Sequence, residues 1–141
     1  MAAFVSNLAD ELSIFSDAGF HLRCFDAHPL REKALRRYAT EKVFWRSPRV
    51  CAHCDVSIPK REVLLIGHLV DDPGDPLYEF NYLALDKRRL QDWKPYARFR
   101  ELAAEFQNSD RYLSYYPLVE GKPFRAPPGK LGKAYVLPSR D

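Results

Sequence analysis

The chain has 141 residues, with 22 Lys and Arg against 19 Asp and Glu, for a net charge of +3 at pH 7. That length suits one domain with a real hydrophobic core, and the mixed charges leave no apolar run near the roughly 18–20 residues that span a bilayer, which excludes a membrane protein. The cysteines are three, an odd number, and Cys51 and Cys54 have only two residues between them, which argues against a disulfide framework and for a reducing compartment, cytoplasmic or nuclear.

The N-terminus, MAAFVSNLADELSIF, carries acids and no early Lys or Arg, unlike a signal peptide. Phe4, Leu8, Leu12 and Phe15 recur at helical spacing, so a helix is expected over 4–18, stopped by Gly19. Phe20 to Phe25 reads as a short strand. His28-Pro29 opens a second helix, with Leu30, Ala34 and Tyr38 along one side. Val43-Phe44-Trp45 reads as a strand leading to the Cys51-Ala-His-Cys54 turn. Val63–Val70 is a nearly continuous apolar strand, Asp71–Pro76 a strong turn, and Leu77–Leu85 the partner strand. Asp86 caps a short helix to about Trp93. Pro95 restarts helix to about Gln107, with Tyr96, Phe99, Leu102 and Phe106 inward. Residues 111–119 pack, and 121–141 form an extended basic tail rich in Pro and Gly. The fold class is therefore α+β: N-terminal helices packed on a knuckle, a β-hairpin and a helix within residues 1–120, with a core at about 45–107.

Two thiolates at Cys51 and Cys54 can grip one face of a tetrahedral zinc, and zinc takes two further ligands. The stretch CAHCDVSIPK, the apolar hairpin and the helix after it resemble the treble-clef zinc-finger superfamily in two ways. The first is the HNH endonuclease module: Cys51 and Cys54 match its first ligand pair, His68 its general base and Asn81 its central Asn. Gly67 stands where that family has Asp, and Asp86 and Arg89 stand at the second ligand pair, where a guanidinium cannot ligate. The second is the finger of poly(ADP-ribose) polymerases, whose second pair falls on Glu79 and Tyr82. Zinc is the cofactor these resemblances imply, with the second ligand pair missing from both.

Cys24 and His28 have acceptable ligand spacing and can complete a zinc site with Cys51 and Cys54; the plain alternative is a core thiol and a helix cap. A thiol-redox pair normally sits between strand and helix in a parallel βαβ setting, whereas a hairpin follows here. The carboxylates of Asp71, Asp72 and Asp75 carry no EF-hand pattern.

Basic charge is segregated: residues 29–50 hold seven basic and two acidic side chains, 51–85 two and six, and 86–141 twelve and seven. Arg31, Arg36, Arg37, Arg46, Arg49, Arg88, Arg89 and Arg98 are the candidates for tracking phosphates. Trp45 and Trp93 can stack on bases or plug the core. The expected function is a small non-enzymatic binding module on a degenerate zinc-finger scaffold, its partner a nucleic acid or a protein. The alternative is a divergent HNH-type metal-dependent nuclease using His68 and Asn81.

Overall fold

A computed structural model describes residues 5–114 and 117–119. Its architecture is α+β: N-terminal helices, a small antiparallel hairpin, then further helical segments. The expectations for 121–141 and for Phe4 lie outside the described residues.

The first segment is a short 3-10 helix, Glu11–Phe15, rather than a helix over 4–18. Polar side chains draw the backbone into local bonds that compete with a regular helix. Asn7 Oδ1 accepts from the N–H of Ala9 and of Leu113, Asp10 caps through the Leu12 N–H, and the Ser13 hydroxyl donates to the Leu8 carbonyl. Leu12 and Phe15 are fully buried as their spacing predicts, whereas Leu8 is exposed.

The strand expected at Phe20–Phe25 is a helical turn, α1, Leu22–Asp26. An isolated strand has no neighbour to satisfy its backbone, whereas this turn satisfies its own through Phe25 N–H to His21 O and Ala27 N–H to Arg23 O. α2 runs from Arg31 to Arg46 and absorbs the expected Val43–Trp45 strand. It ends where Ser47 donates back to Val43 and the Arg49 guanidinium donates to the carbonyls of Phe44 and Trp45, both at 2.9 Å. Those are carbonyls a helix end leaves open.

β1, Val63–Ile66, pairs antiparallel with β2, Leu83–Asp86, so that Val63 faces Asp86 and Ile66 faces Leu83. Both strands are shorter than the apolar runs suggest. Leu69 and Val70 are buried by an irregular connection, and Tyr78–Phe80 is a 3-10 turn. The Asp-Pro-Gly turn forms as expected: Asp72 accepts from the Gly74 N–H and Asp75 from the Leu77 N–H. Asp86 caps the next turn through the Arg88 N–H, but that turn, Lys87–Asp92, is 3-10 in form. α3, Tyr96–Gln107, starts after Pro95 as predicted and buries Phe99, Ala103 and Phe106.

Two apolar clusters result. The larger holds Cys51, Ile58, Ile66, Leu77, Phe80, Leu85, Trp93, Phe99 and Phe106, centred on Phe80, whose ring lies 5.2 Å from that of Phe99 and 5.8 Å from that of Trp93. The smaller holds Val5, Leu12, Phe15 and Ala34. Polar bonds join them. Arg37 on α2 is buried between Asp10 (3.1 Å) and Asp71 (2.5 Å), Lys33 reaches Asp71 at 2.7 Å, and the Leu8 N–H donates to Leu113 O at 2.6 Å. No helix among the described residues is long and apolar enough to cross a membrane.

Candidate functional site

The segment after α2 folds into a tight knuckle. The Cys51 N–H donates to Val56 O, the Asp55 N–H to Cys51 O, and Val50 bridges Ser57. Asp55 takes the left-handed conformation (φ 56°), which a short polar side chain tolerates. The knuckle is pinned to β2 through the Ala52 N–H and Ala84 O. Cys51 is buried and Cys54 half-buried. Burial pushes the Cys51 thiol up, but the N–H groups of Asp86, His53 and Cys54 and the Cys54 thiol outweigh it and lower it overall.

Cys51 and Cys54 thus share one tight turn, as the C-x-x-C spacing predicts. Cys24 is exposed on α1. His28 packs its ring edge-on against Phe15 at 4.9 Å and accepts the Leu30 N–H. Among the described residues no three His, Cys, Asp or Glu side chains gather to hold a metal. The two thiols supply half of the four ligands of a closed zinc site. The acidic candidates for the other half are engaged elsewhere: Asp86 accepts from the Arg88 N–H, Nε and terminal nitrogen, and Glu79 pairs with Arg98 at 2.7 Å. Among the described residues the donor set therefore does not complete a closed, four-ligand zinc site.

A second constellation surrounds His68, just past β1. Its Nε2 lies 3.0 Å from Asp71 Oδ1. Burial and the nearby Arg37 guanidinium hold His68 down to about 4 despite the attraction of Asp71 and Asp10, so the imidazole is neutral at pH 7. Burial pushes Asp71 up, but bonds from Lys33 and Arg37 overcome it and keep the carboxylate ionised. Nε2–H is therefore assigned as the donor to Asp71, which leaves Nδ1 as the basic nitrogen.

Asn81 fixes this segment. Its Oδ1 accepts from the N–H of Leu69 (2.6 Å) and Val70 (3.3 Å), and its Nδ2 donates to Val70 O (2.8 Å). Next to it Tyr82 adopts a positive φ of 60°, a strained conformation for an aromatic residue. The Tyr82 N–H donates to Gly67 O. Its hydroxyl bonds the buried Glu41, which also accepts from the Trp45 indole at 2.6 Å. Burial raises Glu41 despite these donors. His68 faces a cleft of about 650 Å³ lined by Lys33, Arg36, Arg37, Asp71, Asn81 and Tyr82.

The predicted arginines fall into two groups. Arg31 pairs with Asp26 and Glu32, Arg37 with Asp10 and Asp71, Arg88 with Asp86, and Arg98 with Glu79, so their charges are met within the fold. Arg36 and Arg46 have no acidic partner among the described residues, Arg89 has only a long contact to Asp92 at 3.9 Å, and Arg49 caps α2. The hairpin register brings Arg89 of the second group together with Lys60 and Arg61, cations that sequence reading passed over. The Ile58 N–H donates to Arg49 O and the Lys87 N–H to Glu62 O. The Lys60–Glu62 stretch after the knuckle and Lys87–Arg89 therefore share the end of the hairpin where Val63 faces Asp86, whereas the last turns of α2 lie against Tyr82 and the Gly67–Leu69 segment beyond its other end. Lys60 and Arg61 follow the cysteines in sequence, but only pairing across the hairpin sets them beside Lys87. Trp45 stands on the last turn of α2, half exposed, with the Arg49 guanidinium 5.7 Å from its ring, whereas Trp93 is core.

Asp71 is the partner of His68 that sequence reading missed, because it reads as one acid of a turn. Its signal was the three-residue separation. Comparison with family models, curated proteins and solved structures finds no match for this chain.

Proposed function

We propose that this protein is a non-enzymatic module that binds the sugar–phosphate backbone of nucleic acid, using the basic end around the Cys51–Cys54 knuckle. One observation carries the reading. Lys60, Arg61, Lys87 and Arg89 are all exposed at the Val63–Asp86 end of the hairpin, and among the described residues only Arg89 touches an acid, at 3.9 Å. The buried or paired arginines of the middle of the fold are already neutralised. Surface cations without internal partners are what phosphate contacts require, and they act without sequence preference. Asp55 and Glu62 lie in the same region and moderate the field. The order of knuckle, hairpin and helix supports a treble-clef origin for this scaffold. A fluorescence-anisotropy titration with a DNA or RNA oligomer across salt concentration tests the proposal. Affinity that does not fall with salt removes it.

A second reading has its own observation in favour. His68 is neutral, bonded to an ionised carboxylate and open to a cleft that also holds Arg36. A base with an orienting partner is the start of a hydrolytic site. Incubation with plasmid DNA and Mg²⁺ or Mn²⁺ tests it. Cleavage lost in His68→Ala supports the nuclease reading, and cleavage that survives rejects it.

A further inference from the structure

A hollow of about 700 Å³ lies between β1, the Lys87–Asp92 turn, α3 and residues 117–119. That volume falls in the range of small-molecule sites. Its apolar wall comes from Leu64 and Ile66 of β1, Leu90, Phe99 of α3, Leu118 and Val119. Hydrogen bonds hold this wall in place. The fully buried Gln107, at the end of α3, accepts the N–H groups of Leu118 and Val119 at 3.0 Å each. Asn7 accepts the Leu113 N–H at 2.8 Å, which fixes the backbone between Tyr112 and Ser114, two further lining residues. The hollow is thus preformed, and a ligand does not have to order it.

Two cations line it as well, Lys87 and Arg100, and no acid does among the described residues. Lys87 is exposed and Arg100 half-buried. Among the described residues neither makes an ion pair, whereas their neighbours Arg88, Arg89 and Arg98 each meet an acid. The Arg100 guanidinium lies over the Tyr96 ring, 5.8 Å from its centroid. Stacking of this kind orients the group and leaves its N–H donors unspent.

Such a lining selects its ligand. An apolar body gains by burial against the wall. A carboxylate carried into apolar surroundings must meet a cation there, and a guanidinium holds it through two parallel N–H donors. We propose that the hollow binds a small amphipathic carboxylate. Its alkyl or aryl body packs against Leu64, Leu90, Phe99 and Val119, and its carboxylate is held by Arg100 and Lys87. This site shares only Lys87 with the phosphate contacts, and it stands whether or not the protein binds nucleic acid.

The test is a heteronuclear NMR titration of the full chain with octanoate and, in parallel, with 1-octanol, an alcohol of the same chain length without the charge. Saturable amide shifts are expected at Leu64–Gly67, Lys87–Leu90, Tyr96–Arg100 and Val119, with octanoate bound roughly tenfold more tightly than octanol. The double variant Lys87→Gln, Arg100→Gln should bind octanoate roughly tenfold more weakly and octanol as the wild type does. Leu90→Trp, which fills the hollow, should weaken both ligands. Equal affinity of the wild type for octanoate and octanol overturns the proposal. So do shifts that fail to saturate or that lie outside the lining residues, and so does unchanged octanoate affinity in either variant. Octanol affinity lost together with octanoate affinity in the double variant marks a collapsed wall rather than a lost charge, and also overturns it. Amide dispersion shows that each variant folds, and Leu64→Trp replaces Leu90→Trp should the latter fail to fold.

Discussion

His68 gathers more of the local chemistry than any other side chain, and its charge state makes a measurable demand. An unfolded chain takes up a proton on His near pH 6.5, whereas the folded protein holds His68 neutral down to about 4. Between those values the unfolded state binds more protons, so stability falls as pH drops from about 6.5 to about 4, by on the order of 3 kcal/mol for this group. Glu41 works in the opposite sense, since burial raises it and its protonation favours the folded state as pH falls. Urea unfolding of wild type and His68→Gln over this range isolates the histidine. The wild type should lose stability relative to the variant on acidification, and parallel profiles contradict the assignment. Asn81 makes a separate prediction. It supplies three hydrogen bonds to the backbone of two buried residues. Asn81→Ala should therefore cost about 2–4 kcal/mol in urea unfolding, because buried amide and carbonyl groups are left unpaired. A loss under half a kcal/mol in that assay contradicts the clamp.

Among the elements, α2 shows how sequence patterning misleads. Arg37 reads as one of a basic run available for phosphate. It is instead the buried link between α2, Asp10 and the Asp71 turn. Arg37→Met leaves the Asp10 carboxylate without its cation and takes one of three partners from Asp71, and a loss of about 3 kcal/mol is expected. The same change at Arg36, exposed and without an acidic partner among the described residues, should stay within about half a kcal/mol. Thermal unfolding of the two variants side by side decides between a structural and a surface role for each. Periodicity located α3, the hairpin and the Asp86 cap because their signals are local: helical spacing after Pro95, two apolar runs around Asp-Pro-Gly, and a short acid before a turn. It failed at Val43–Trp45, where three β-prone residues are held helical by Arg49, which donates to carbonyls four and five residues back. It failed at 4–18, where Asn7 and Asp10 trade helical bonds for contacts with residues as distant as Leu113. Neither tether shows in a hydrophobic pattern.

For the whole molecule, charge is partitioned between a neutralised interior junction and a basic end. The candidate site was legible only in part. The C-x-x-C turn, His68 and Asn81 stand out in sequence, but the pairing of His68 with Asp71, and of Lys60 and Arg61 with Lys87, depends on the loop and the hairpin register. The two acids at the positions of a second ligand pair also take their meaning from the fold, since Asp86 and Glu79 are held by arginines. Phe80, Leu85 and Phe99 are buried in one cluster with Cys51, each large side chain contributing roughly 1.5–3 kcal/mol. Phe80→Ala should accordingly cost about 3–5 kcal/mol by chemical denaturation, and a near-neutral result would place the cohesion elsewhere.

The most direct test of the account is the salt dependence of nucleic-acid affinity for wild type against the triple variant Lys60→Gln, Arg61→Gln, Lys87→Gln, between about 50 and 200 mM salt. Wild-type affinity should fall steeply with salt, and the triple variant should bind more weakly with a log–log slope shallower by about three units, roughly one for each phosphate no longer neutralised. Identical affinities and slopes for the two proteins, or no salt-dependent binding by either, would contradict the assignment of the knuckle end as the phosphate-binding face.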